Sequence, residues 1–309
     1  MKFKITYRTH PSMLKRCFPI ILISLIVIAI YFLAIIKMVT QCWDDPNYSH
    51  VFFIPVVSGY LVWQKKESLK NLLRKQSNLG ILIIILGAIT YILGTAAAEF
   101  FTTRLSFVIC ILGIVLFYYG KEFIKELWFP ILFLLFMIPI PYVIYYSVTF
   151  PMQLLSSQAA SGLLQLIAMP VLRQGNVINL PNYSLEVVEA CSGLRSLMTL
   201  SALGAAMAYM TQKTISGGTF LFLLSFPIAI GANIFRLVIT ALGAYFISAK
   251  LAEGFLHEIS GLVVFLVGFI SLCIAGTIIN WIGEMKSYYP IVENNKKTSS
   301  QIKSNKLVH

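Results

Sequence analysis

The chain of 309 residues is 58% hydrophobic and only 12% charged, with a mean hydropathy of +0.82. Soluble domains carry roughly 25% charged residues, so most of this chain cannot face water, and an ordinary soluble enzyme, a disordered protein and a disulfide scaffold are all excluded. The net charge of +12 sits in short basic clusters between long apolar runs, a pattern of membrane topology rather than of a nucleic-acid partner.

A hydrocarbon core ~30 Å thick takes about 20 apolar residues of helix. On that measure eight spans are predicted, at 18–37, 48–63, 79–98, 105–120, 127–148, 191–210, 217–236 and 257–283. Basic residues precede the first span, as in a signal peptide. No small-residue cleavage site comes before Lys37, however, so the reading is a retained helix. Placing the amino terminus in the cytoplasm puts 18 of the 24 Lys and Arg residues on the inner side, as the positive-inside rule requires. Both termini are then cytoplasmic.

Between the fifth and sixth spans lies one sizeable non-spanning region, 149–190, assigned to the outer side. Within it, Met152 to Ala168 reads as an interfacial helix carrying Gln153, Ser156, Ser157, Gln158 and Gln165. Val177 to Leu180 and Tyr183 to Val187 read as two short strands around the Pro181-Asn182 turn. The expected architecture is an all-α, polytopic transmembrane helical bundle with a small extracytoplasmic helix and β-hairpin before the sixth span. It forms a single integral-membrane domain over 1–285. Residues 286–309, rich in Lys, Asn and Ser, read as a disordered cytoplasmic tail.

Ionisable groups in or beside membrane spans are expensive, by ~2.5–3.5 kcal/mol at a helix centre, and mark candidate functional sites. Cys191 opens the sixth span in the run Glu189-Ala190-Cys191-Ser192-Gly193-Leu194-Arg195. A thiol at a helix start, with Arg195 one turn on, is in surroundings that favour the nucleophilic thiolate; free Cys is equally often a small buried hydrophobe. Cys17, Cys42, Cys110 and Cys273 lack such neighbours, and five scattered cysteines form neither a disulfide framework nor a metal site. Arg236 ends the seventh span, with Asn233 on the same face. Two readings stand for it: an interfacial Arg whose head reaches water, or a fixed cation facing a cavity and holding an oxyanion. His257 opens the eighth span, in the titration range suited to proton transfer. These three residues converge on one membrane face of three successive spans. Glu189 and Glu258 read as rim charges or as orienting partners. No cofactor or metal is called for.

These residues resemble the exosortase/archaeosortase family of membrane transpeptidases. Ala190 to Arg195 resembles that family's nucleophile signature, Asn233-Ile234-Phe235-Arg236 its Asn-x-x-Arg element, and His257 with Gly261 its histidine element, in the same chain order. Tyr48-Ser49-His50 with Pro55 and Trp63 resembles its amino-terminal block, and Pro139 to Pro141 with Pro151 to Gln153 the region before the nucleophile. Val51 follows His50 where relatives often carry Gly, which leaves the role of His50 open. The resemblance implies that Cys191 is the nucleophile, Arg236 the oxyanion stabiliser and His257 the general acid or base. Arg195, Asn233, Glu189 and His50 would take supporting or substrate-binding places. It also implies substrates that are secreted proteins bearing a carboxy-terminal sorting signal: a short motif, one transmembrane helix and a basic end. Membrane lipids are the other expected partners; no oligomeric state is specified. The alternatives are a membrane transporter and an assembly factor for extracellular polysaccharide. Against transport stand the absence of an inverted repeat and of ionisable residues near the span midplanes.

Overall fold

The computed structural model describes residues 13–181, 183–187, 194–247 and 261–284. They form two compact units, one ending at Pro141 and the other beginning at Tyr142.

The first unit holds α1 (Met13–Asp44), a 3₁₀ turn (Pro46–Phe52), α2 (Phe53–Gln64), α3 (Lys66–Asn71), α4 (Leu79–Ala96), α5 (Phe100–Tyr119) and α6 (Lys121–Phe133), followed by a 3₁₀ turn (Leu134–Met137). Its tightest packing is between α4 and α5. Glycines recur on α4 at 80, 87 and 94, every second turn and therefore on one face. An added Cβ at Gly80 would meet Phe117 at 2.4 Å, at Gly87 Cys110 at 2.6 Å, and at Gly94 Thr103 at 2.6 Å. The partners step backwards by seven as the glycines step forwards, so the helices are antiparallel and their backbones touch through the glycine faces. Small residues let membrane helices approach closely where no hydrophobic force drives them together. The connection is equally tight: Ala98 adopts a left-handed φ of 51°, and the Glu99 carboxylate caps α5 by accepting from the Phe101 and Thr102 N–H groups at 3.1 and 2.5 Å.

Gly87→Leu is expected to force α4 off α5 and to destabilise the protein by about 1–3 kcal/mol or more, the range for overpacking. Gly59→Leu, where nothing lies within 4 Å, is expected to be tolerated. Thermal unfolding of the purified variants in detergent compares the two.

The second unit holds α7 (Tyr142–Leu166), strands β1 (Leu172–Gln174), β2 (Val177–Leu180) and β3 (Tyr183–Glu186), α8 (Leu194–Thr211), α9 (Ile215–Phe246) and α10, described over Gly261–Glu284. The strands form one antiparallel sheet in the order β1-β2-β3, with Ile178 opposite Leu185. Alternation turns Ile178, Leu180, Leu185 and Val187 inward, where they join Ala160 and Leu164 of α7 and Leu237 and Ala241 of α9 in one buried cluster. The sheet is thereby seated on the second half of α9.

Helices α8 and α9 are an antiparallel pair, in which an added Cβ at Gly204 would lie 2.7 Å from Ser225. Helix α10 runs beside them. A Cβ at Gly268 would press on Leu200 at 2.4 Å, Gln212 donates to the Gly276 carbonyl at 3.2 Å, Asn280 donates to the Thr211 carbonyl at 3.0 Å, and Lys213 pairs with Glu284 at 2.5 Å.

Among the described residues, five helices are long and apolar enough to cross a membrane: Leu25–Asp44, Leu79–Ala96, Phe100–Tyr119, Ile215–Phe246 and Gly261–Glu284. A sixth is counted if Lys121–Met137 and Tyr142–Leu166 make one broken span. Their outward faces are apolar, as on Leu82 and Ile92 of α4 (both 63% exposed), the inverse of a soluble helix bundle. The expected spans meet this structure with particular differences. The 48–63 segment divides into the 3₁₀ turn and the 12-residue α2, ~18 Å of helix. The 127–148 segment breaks between Met137 and Tyr142, because Pro139 and Pro141 remove N–H donors and push Ile138 to an extended φ, ψ of −89°, 118°. Residues 152–168 are no separate interfacial helix: α7 runs unbroken from Tyr142 through Pro151. The hairpin is a three-stranded sheet, since Gly175 at φ 64° turns β1 back onto β2. The 217–236 span continues ten residues further, to Phe246.

Candidate functional site

Arg236 does not end its helix. It lies within α9, 9% exposed, with Asn233 fully buried one turn before it. Each already has an interaction partner. Burial inside the unit removes the solvated-head reading of Arg236, because the helix carries on beyond it and its neighbour Leu237 is locked under the sheet. A charged group held this way has a fixed position, which a surface Arg lacks.

The helix contacts set the heights of the neighbouring elements. From the Gly204–Ser225 contact, Leu194 is ten residues up α8 and Arg236 eleven residues up α9, so each rises ~15–17 Å along its axis. From the Leu200–Gly268 contact, Leu194 is six residues and Gly261 seven residues away in the same direction, ~9–11 Å. The start of α8, the Arg236 turn of α9 and the described start of α10 therefore stand at one level, at the same end of this unit. Arg195, in the first turn of α8, is exposed there and has an interaction partner. Cys191, Glu189 and His257 lie outside the described residues.

The sequence reading missed one feature of this region. The polar residues of 152–168 were expected to face water along an interface, yet Gln153 is 8% exposed, Ser156 1% and Ser157 0%, while Gln158 and Gln165 are exposed and Leu155, on the side opposite Gln153 and Ser157, is half exposed. Gln153, Ser156 and Ser157 share the buried face with Met152, Ala160 and Leu164, because in an apolar surrounding polar groups seek protein partners. Ser157 donates to the Gly175 carbonyl at 2.9 Å, tying α7 to the β1–β2 turn. α7 and α9 share two buried clusters, one containing Met152 and Ala229 and one containing Ala160 and Leu237. The two helices thus run parallel. Ser156, midway between the clusters on α7, stands at about the height of Asn233, midway between them on α9. The Ser156 hydroxyl is buried without a hydrogen-bond partner among the described residues. The signal in the sequence was the helical spacing of Gln153, Ser156, Ser157, Ala160, Ser161 and Leu164, one face, legible as inward once the helix is taken to lie among others.

His50 belongs to the first unit. It sits in the 3₁₀ turn, 6% exposed, near the Asn47 and Phe136 carbonyls, and neither ring nitrogen completes a well-formed hydrogen bond among the described residues. Tyr48 and Val51 beside it are buried as well.

A family model described as transmembrane exosortase matches residues 42–274 of this chain, well over half of it and across both units. Neither the curated proteins nor the solved structures hold a significant match.

Proposed function

The chain belongs to the transmembrane exosortase family, and from that premise we propose that it is a membrane-embedded cysteine transpeptidase or endopeptidase. Its substrates are secreted proteins carrying a carboxy-terminal sorting signal, cut on the extracytoplasmic face of the cytoplasmic membrane. The observation that carries this reading is the common level of the α8 start, buried Arg236 and the start of α10. Cys191 precedes Leu194 by three residues and His257 precedes Gly261 by four, tethers of at most ~11 and ~14 Å. Segments this short allow the thiol and the imidazole to reach the level of the Arg236 guanidinium, which supports the reading.

The chemistry follows acyl transfer. The Cys191 thiolate adds to the scissile carbonyl carbon, and the developing oxyanion is held by the Arg236 guanidinium, a planar, permanently charged donor. Collapse of the tetrahedral adduct breaks the C–N bond, His257 donating a proton to the departing amine, and leaves a thioester on Cys191. A second nucleophile (an amine, a hydroxyl or water) adds to the thioester with His257 accepting its proton, and the thiolate leaves. Arg195 and Asn233 support the thiolate and the guanidinium. A substrate anchored by its own helix presents the short motif at a fixed height, which removes much of the entropic barrier to meeting the thiolate.

Hydroxylamine tests the thioester. Membranes containing this chain and a substrate with its sorting signal are incubated with hydroxylamine, and the mature substrate is analysed by mass spectrometry. The expected product is a carboxy-terminal hydroxamate at a single cut site, absent with Cys191→Ala. Processing that continues with no hydroxamate formed, or that is indifferent to Cys191, rejects the reading.

A further inference from the structure

The first unit contains a cleft of about 270 Å³ between α1, α4 and α5 that the proposed reaction does not use. Lys37 of α1 and Arg104 of α5 both line it, with Thr95 and Thr103 beside them and Leu33 and Tyr91 on its apolar side. Two cations thus face one cavity within helices otherwise apolar enough to span a membrane, where each charge is costly.

One carboxylate, Glu99, partly offsets the charge of Arg104, which leaves the cleft with a net positive charge. Glu99 is the carboxylate that acts electrostatically on Arg104, and its oxygens already accept the Phe101 and Thr102 N–H groups. Burial alone would raise the Glu99 carboxyl, but hydrogen bonds from the Thr102 side chain and from the Thr102 and Phe101 N–H groups, with the Arg104 charge, outweigh it and hold the group below its ordinary value. Arg104 carries five N–H donors; it uses one on Gln41 at 2.8 Å and lays its face 5.7 Å from the Phe100 ring. It is only 7% exposed, so the remaining donors are not spent on bulk water. The Lys37 ammonium has no ion pair among the described residues.

We infer that this cleft binds the phosphate of an anionic membrane lipid. A phosphodiester presents only acceptor oxygens and a negative charge, matching the Lys37 ammonium, the spare Arg104 donors and the Thr95 hydroxyl. The volume lies just under the ~300–1,000 Å³ of drug-sized pockets, room for a headgroup and not for a whole lipid. The rest of the lipid has a surface to lie on. Leu33 is 60% exposed, Ile36 42% and Phe100 55%, so the cationic cleft opens beside apolar helix faces suited to acyl chains. That continuity favours a lipid over free phosphate. Lys37 stands seven residues before the end of α1, ~10 Å along the helix, and its long stem lets the ammonium meet a phosphate at the edge of the hydrocarbon.

The test is native mass spectrometry of the purified full-length protein in a neutral detergent, with equal amounts of phosphatidylglycerol and phosphatidylcholine added. The wild type is expected to retain phosphatidylglycerol preferentially. Lys37→Met, an exposed position that leaves folding intact, is expected to lower that retention about five-fold, the effect of one basic residue near anionic lipid. Arg104→Gln is expected to lower it at least as much, Lys37→Arg to preserve it, and Lys121→Met, a basic residue away from the cleft, to leave it unchanged. Millimolar inorganic phosphate is expected not to displace the lipid. Equal retention of the two lipids, equal losses with Lys37→Met and Lys121→Met, or displacement by inorganic phosphate would overturn the assignment. Because retention is read without any peptide substrate, the result is independent of whether the chain is a transpeptidase.

Discussion

Cys191→Ala is expected to abolish processing of a sorting-signal substrate while the protein still accumulates in the membrane at wild-type level. Removing the nucleophile from a covalent mechanism typically lowers turnover by ~10⁴-fold or more, some 5 kcal/mol or above in activation free energy, so substrate should remain full length in a pulse-chase experiment. The separation of activity from accumulation follows from position. Cys191 precedes the described start of α8, while the buried clusters of the second unit are built from Ala160, Leu164, Leu200, Leu221 and Leu237, among others. A thiol-to-hydrogen change removes the nucleophile, and the contacts that join α8, α9 and α10, such as Gly204 with Ser225 and Leu200 with Gly268, are made by other residues. Cys110→Ala is the informative contrast. Its sulfur lies against α4 at Gly87 and accepts or donates to the Tyr31 hydroxyl at 3.4 Å, so its loss should change stability and not turnover. Wild-type processing by Cys191→Ala rejects the nucleophile assignment outright.

The second large effect is expected at Arg236. Arg236→Gln keeps a planar hydrogen-bonding group on a shorter stem and removes the charge. Loss of one preorganised oxyanion donor typically lowers kcat by ~10²–10³-fold, and Arg236→Lys, which keeps charge but not the fork, should recover only part of it. The decisive readout is how the loss divides. A group that acts on the transition state lowers kcat and kcat/KM together, whereas one that only docks the substrate raises KM at constant kcat. Leu237 and Ala241 still anchor α9 beneath the sheet, and because Arg236 has a partner that the change leaves behind, accumulation in the membrane is measured beside turnover to separate a folding loss from a chemical one. An Arg236→Gln protein with unchanged kcat would remove this residue from the chemistry.

Composition and apolar run length alone were enough to reveal a polytopic helical membrane protein, because hydrocarbon leaves the backbone little choice but helix. Five helices of spanning length and apolarity follow that pattern closely, and the strands Val177–Leu180 and Tyr183–Glu186 were legible from alternation and the Pro-Asn turn. The family was legible too, from the resemblance of Ala190 to Arg195, Asn233 to Arg236 and His257 with Gly261 in chain order, and the family model matches residues 42–274. Hydropathy was blind to where helices stop and which way they face. It ended the seventh span at a charge, Arg236, although packing against Ile178 and Leu185 carries α9 on to Phe246. It read Gln153, Ser156 and Ser157 as a wet face, although lipid on one side and neighbouring helices on the other turn them inward. Which residues share a height, and so which groups are available to one another, depends on contacts such as Gly204 with Ser225 and Leu200 with Gly268. Those are close approaches between residues far apart or on separate helices, set by shape complementarity across the bundle, and no local pattern in the chain encodes them.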